Sequence, residues 1–194
     1  IGGVKEFIEA SDKRSFLLLR HDIDFLSEGN EKILSIERDL GVFSSWYFRW
    51  SSINSELINE IKEYGSEVGL HYESLAKTCE KYKITTKSRV NTTIIEEALA
   101  DLKCEIAQFR REFKVPCLTV ASHGHPINRL IKIGNHEILD EKTREETGLL
   151  AEAYDSSILD NIGCYVSDTA LSINFGWAYG LSPEDAIKSG VKTI

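Results

Sequence analysis

A histidine and two aspartates follow directly on an apolar run in Leu17-Leu18-Leu19-Arg20-His21-Asp22-Ile23-Asp24. Two later segments bring imidazoles in the same manner: His71 in Gly69-Leu70-His71-Tyr72-Glu73, and His123 and His125 in Ser122-His123-Gly124-His125-Pro126. Of the five histidines, only His136 falls outside these segments. One carboxylate and two imidazoles sharing a cavity form a ligand set for a divalent metal, and a catalytic zinc keeps a further position for water. Such a metal lowers the pKa of its water to about 7 and polarises a carbonyl. Asp22 and Asp24 stand two apart, so extended backbone points both to one side. One can then bind metal while the other takes a proton as general base. Each segment taken alone has a plainer reading. Asp-x-Asp can be a loop and helix entry, His71 a structural histidine, and the Gly124 and Pro126 segment a turn. Their coincidence on so few histidines favours a metal site.

The elements that must position these groups alternate between strand-like and helix-like. Residues 15–20 form a continuous apolar run suited to a strand buried on both faces. Residues 28–40 read as a helix with Ser27 as cap and Gly41 as stop. Strands are predicted over 42–50, 67–71 and 117–121, and a short helix over 56–64 ended by Gly65. The clearest helix runs over 94–113, where Ile95, Leu99, Leu102, Ile106, Phe109 and Phe113 follow a helical stripe behind a Thr93/Glu96 capping box. Further on, the signals give short strands at 137–140, 164–167 and 191–194, a helix over 143–154 interrupted by Gly148, and a helix start at Ser182-Pro183. Strands alternating with helices imply a mainly parallel sheet or barrel, with its chemistry at the carboxyl ends of the strands. His71, His123 and the aspartate pair all fall at such ends. No linker or repeat breaks the pattern, so 1–194 reads as one domain.

Composition narrows the function classes. With 42 % hydrophobic and 28 % charged residues, the 194-residue chain is long enough to bury a core. A net charge of −8 argues against nucleic acid or an anionic membrane as main partner. No segment has the length or apolarity of a membrane span, and no signal peptide is visible, which points to a cytoplasmic protein. Cys79, Cys104, Cys117 and Cys164 form no CxxC pair and read as buried, reduced thiols. The chain begins at Ile1 and contains no methionine, as expected of a fragment or of a sequence that omits modified methionines, and it stops at what reads as the onset of a last strand, as expected of a piece truncated at its C-terminus. Oligomeric state is left open.

Taken together, Arg20-His21-Asp22-Ile23-Asp24, Glu67-Val68-Gly69-Leu70-His71-Tyr72-Glu73 and Ser122-His123-Gly124 with the neighbouring Asn128-Arg129 resemble the motifs of the polysaccharide deacetylase (NodB-homology) superfamily, in a divergent branch. The resemblance spans most of the chain in order. It implies a distorted, incomplete (β/α) barrel of about seven mainly parallel strands. It also implies a metal-dependent hydrolase, with zinc or another divalent transition metal, that removes acetyl groups from N-acetylated sugars or polysaccharides, such as those of surface polysaccharide biosynthesis. By motif, Asp22 matches the catalytic base, Asp24 the metal-binding aspartate and His71 the first histidine of the second motif. Where that family places a second histidine, this chain has Leu75. His123 is therefore taken as third ligand, with His125 and Glu73 as alternatives, and His125 or a histidine beyond the C-terminus as the acid that protonates the leaving amine. Trp46, Tyr47, Phe48 and Trp50 could stack on sugar rings or belong to the core. The loss at position 75 also admits a non-catalytic glycan- or partner-binding domain, and an Asp/His rim admits phosphoester hydrolysis, although no glycine-rich phosphate loop accompanies it.

Overall fold

The computed structural model describes residues 1–10, 16–169, 176–178 and 180–190. Its centre is a parallel sheet of β1 (Arg20–Ile23), β2 (Ser45–Phe48), β3 (Glu67–Tyr72), β4 (Thr119–Ser122) and β5 (Ala151–Glu152), arranged in sequence order. Nine helices accompany it among the described residues: α1 (Val4–Glu9), α2 (Glu28–Leu40), α3 (Ser55–Tyr64), α4 (Ser74–Lys81), α5 (Thr92–Phe113), α6 (Pro126–Ile131), α7 (Glu141–Thr147), α8 (Ser156–Leu159) and α9 (Pro183–Lys188). When parallel strands follow one another in order through right-handed crossovers, the crossover helices fall on one face. They do so here. Trp46, Phe48, Val68, Leu70 and Val120 pack with Leu34 of α2, Ile58 of α3 and Phe109 of α5. The intervening residues of each strand point to the opposite, inner face. There Tyr47, Ala121 and Ala151 pack against Val4 and Phe7 of α1 and Ile158 of α8.

The inner face is curved. A flat sheet of five strands sets its edges about 19 Å apart. Yet Arg20, on edge strand β1, donates from Nη2 to the Tyr154 hydroxyl just past β5 at 2.8 Å, and its guanidinium lies over that ring. The two edges therefore bend toward each other, as in a barrel wall. The expected barrel of about seven strands is not confirmed. The described residues hold five strands and the sheet does not close. β5 has two residues, and the chain turns at once into α8. The strand predicted over 164–167 is reduced to an isolated antiparallel bridge between Ser167 and Ala178, and the one over 191–194 lies outside the described residues.

Local signals account for most boundaries. Gly41, Gly65 and Gly148 end α2, α3 and α7 in the left-handed conformation at φ of 62°, 100° and 65°. Ser27 stands at the N-cap of α2 but makes no capping bond there. The cap of α5 is Asn91, which accepts from Ile94 N–H at 3.1 Å, in place of the predicted Thr93 box. The buried stripe of α5 accordingly starts at Ile94 and Ala98, with Ile95 and Leu99 at its margin. The strand predicted over 137–140 is a single turn, His136–Ile138, because Asp140 is the cap of α7 and accepts from Thr143 N–H at 2.8 Å. α4 was not expected from the sequence. It carries Leu75 and Cys79 into a cluster with Ile84, Ile94 and Ala98. Cys79 and Cys117 are buried, but Cys104 is exposed and Cys164 half-buried; all four thiols are free.

Gly69 decides how closely β2 and β3 meet on the inner face. A Cβ there would lie 2.6 Å from the Tyr47 ring and 2.6 Å from the Thr119 carbonyl oxygen, and Tyr47 is fully buried. Gly69→Ala is expected to destabilise the protein by about 1–3 kcal/mol, the cost of overpacking a tight core. Urea unfolding checks this, and unchanged stability contradicts the packing described.

Candidate metal centre

Strand alternation sorts the sequence-predicted groups. On β1, Arg20 and Asp22 face inward while His21 and Ile23 face outward. His21 Nε2 donates to Glu37 Oε1 of α2 at 2.8 Å, and the ring lies against Trp46, so this histidine is structural. Trp46, Tyr47 and Phe48 are fully buried and Trp50 packs on Phe109 and Phe113, so this aromatic cluster is core.

Asp24, His71 and His123 come together as predicted. Their ligand atoms all lie within 4.8 Å of one another. Asp24 Oδ1 sits 3.6 Å from His71 Nε2 and 3.3 Å from His123 Nε2. The rings of His71 and His123 meet edge to face at 5.1 Å. His71 ends the inner row of β3. His123 extends β4 by one residue, its N–H donating to the Tyr72 carbonyl at 2.7 Å.

Each imidazole is held by its other nitrogen. His71 Nδ1 lies 3.0 Å from the Ala121 carbonyl oxygen, which can only accept, so the proton sits on Nδ1. His123 Nδ1 donates to Glu73 Oε2 at 2.9 Å. Both rings thereby turn Nε2 toward Asp24, where a neutral ring offers its lone pair. Burial pushes the His71 imidazole below its ordinary value, against the pull of Asp22, the Ala121 carbonyl and Asp24, which keeps it neutral and able to ligate. His123 donates the hydrogen bond that does most to hold the Glu73 carboxyl well below the usual range, followed by Arg49 and Lys77.

These residues fit a divalent ion. Asp24 Oδ1 is buried and has no hydrogen-bond partner. Its two nitrogen neighbours stand at 3.3 and 3.6 Å, while bonds of about 2.0–2.1 Å in tetrahedral array place ligand atoms about 3.4 Å apart. His71 is buried and the side chains of Asp24 and His123 are partly exposed, so one side of the group opens to solvent. A closed structural site would lack that opening.

Asp22 lies beside the group. Arg20 Nη2 holds its Oδ2 at 3.1 Å, and its Oδ1 is buried without a partner. Leu75 cannot ligate from its place in the core under α4, where it is fully buried. His125 is outside the ligand group. It caps α6, its Nδ1 accepting from Ile127 N–H at 3.2 Å, which leaves the proton on Nε2. The sequence reading missed Asn135, whose Nδ2 donates to the His123 carbonyl at 2.7 Å and to Asn128 Oδ1 at 3.0 Å. Its own Oδ1 accepts from Ala76 N–H at 3.0 Å, tying the His123 loop to α4. Nothing in composition or spacing marks an asparagine for that task. No protein-family model matches the chain, and neither does any curated protein.

Glu152 of β5 supports the same rim, accepting from Ser122 N–H at 2.7 Å. Burial raises its carboxyl from 4.5 to about 7. A raised carboxyl is protonated in the fold where it is already ionised in the unfolded chain, so its contribution falls as pH rises from about 4.5 to about 7 and is flat above. The stability difference between wild type and Glu152→Gln should therefore shift against wild type by about 3 kcal/mol across that window. Urea unfolding over a pH series measures it; a pH-independent difference contradicts the assignment. Independently, zinc at one hundred times its Kd should stabilise the protein by about 2.7 kcal/mol, raising Tm by about 5–10 °C. Asp24→Ala and His123→Ala should abolish that rise, and equal rises in the variants would exclude this centre.

Proposed function

We propose that the chain is a divalent-metal hydrolase that cleaves the acetamide bond of N-acetylated sugars or polysaccharides. One observation carries the reading. Asp24 Oδ1 faces two Nε2 lone pairs, with the unpartnered Asp22 Oδ1 buried beside them. The substrate class rests on the likeness of the three motifs to polysaccharide deacetylases. Asp24, His71 and His123 would hold the ion, which when bound supplies Lewis acidity toward water and a carbonyl oxygen.

The remaining steps belong to the chain. Asp22 accepts the proton of the attacking water at Oδ1, the oxygen Arg20 leaves free, while the guanidinium fixes the carboxylate by its other oxygen. As the C–N bond breaks, Asp22 returns the proton it accepted to the leaving amine; His125, whose Nδ1 accepts from Ile127 N–H, would be left an anionic imidazole by giving up its Nε2 proton. Free thiols and the absence of a membrane-crossing helix among the described residues accord with a cytoplasmic setting, proposed on the same footing.

Asp22→Asn tests the assignment. With metal content equal to wild type, acetate release from N-acetylglucosamine oligomers should fall about 10²–10⁴-fold. Full activity in the variant removes Asp22 as base. A zinc-loaded wild type that releases no acetate from such oligomers removes the proposed activity.

A further inference from the structure

We propose that Glu73 is a positioning residue of the metal centre: its carboxylate fixes the tautomer and ring orientation of His123 and so sets how tightly this third ligand holds the ion. The inference rests on the metal-centre reading above and deepens it.

Glu73 occupies the N-cap of α4, where an acidic side chain ordinarily accepts from the first helical N–H groups. It makes no such bond. The carboxylate turns instead to His123 Nδ1, at 2.9 Å, although it is only 7 % exposed. Burying an ionised carboxylate is costly unless it is paired. Arg49 pairs it, with Nη2 at 3.0 and 3.2 Å from the two oxygens, and Lys77 Nζ stands 3.3 Å from Oε1. The cap, the burial and two cations are thus committed to one contact with a ligand ring.

His123 needs that contact more than His71 does. His71 lies within β3 and receives its acceptor from the Ala121 carbonyl of the neighbouring strand. His123 lies one residue past β4, in a loop. The end of β3 moors it at two adjacent points, its N–H to the Tyr72 carbonyl and its ring to Glu73, while Asn135 holds its carbonyl. The segment Tyr72-Glu73 therefore does for His123 what the strand ladder does for His71. An acceptor carboxylate also makes the opposite nitrogen a stronger donor to metal, and losing such a partner typically costs 10–100-fold in affinity. The Leu75 side chain stays in the core, so the third ligand is drawn from the end of β4 and supported from the end of β3.

The test uses the wild-type protein, Glu73→Ala and Glu73→Gln. In metal-free protein, at a pH where the imidazoles are neutral, ¹⁵N NMR should show His123 of the wild type protonated at Nδ1. Glu73→Ala should shift it toward Nε2–H and leave His71, held by Ala121, unchanged. Zinc affinity should fall about 10–100-fold in Glu73→Ala. Glu73→Gln keeps an acceptor oxygen but loses the charge, so its tautomer should hold and its affinity should lie between the two. An unchanged tautomer and affinity in Glu73→Ala overturn the proposal. Should that variant fail to fold, Glu73→Gln decides: weaker zinc binding supports the role, and wild-type affinity overturns it. A wild type that binds no zinc sinks the metal centre itself, and the metal-free tautomer then decides the Glu73–His123 coupling alone.

Discussion

Asp24 Oδ1 is a buried carboxylate oxygen that faces two imidazole nitrogens and makes no hydrogen bond. Both rings have committed their Nδ1 protons elsewhere, to the Ala121 carbonyl and to Glu73. Three potential ligand atoms thus converge within 4.8 Å of one another. In a medium less polar than water such a convergence is unfavourable, and a small cation at its centre reverses the sign of every term. A proton answers the problem poorly, since neither contact to Asp24 has hydrogen-bond geometry. A divalent ion would answer it, with Asp24, His71 and His123 as the residues that would hold it.

The fold supplies this convergence through two simple features. Alternation along parallel strands sends Asp22 and His71 to the inner face and His21 to the outer one. Sheet curvature then turns residues from separate strand ends toward a common centre. The inner face below the site is filled, with Tyr47 seated over Gly69 and hydrogen-bonded to Thr119. The Asp24, His71 and His123 group therefore opens in one direction, toward the rim.

Much of this was legible in the residues. Asp22, Asp24, His71 and His123 stand just where apolar strand patterns end, and strand ends are where parallel sheets place reacting groups. The stops at Gly41 and Gly65 were equally plain, because only glycine adopts that backbone cheaply; Gly148 read as an interruption within a helix over 143–154, whereas it ends α7 and a strand, β5, follows. Three kinds of feature were not legible. His21 sits among the site residues in sequence but faces away, and only the register of β1 reveals it. The supports of the His123 loop, Asn135 and Glu73, act through contacts spanning 12 and 50 residues, which no local pattern encodes. The aromatic run of β2 was ambiguous because a sheet covered on both faces buries every side chain of a central strand. The same covering hid α4, whose apolar residues serve a separate cluster under α5.

The most direct test of the metal centre is anomalous X-ray scattering at the zinc edge from crystals of the zinc-loaded protein. The account predicts one peak about 2.0–2.2 Å from Asp24 Oδ1, His71 Nε2 and His123 Nε2 together. A peak held by other residues, or no peak at this rim, would contradict it.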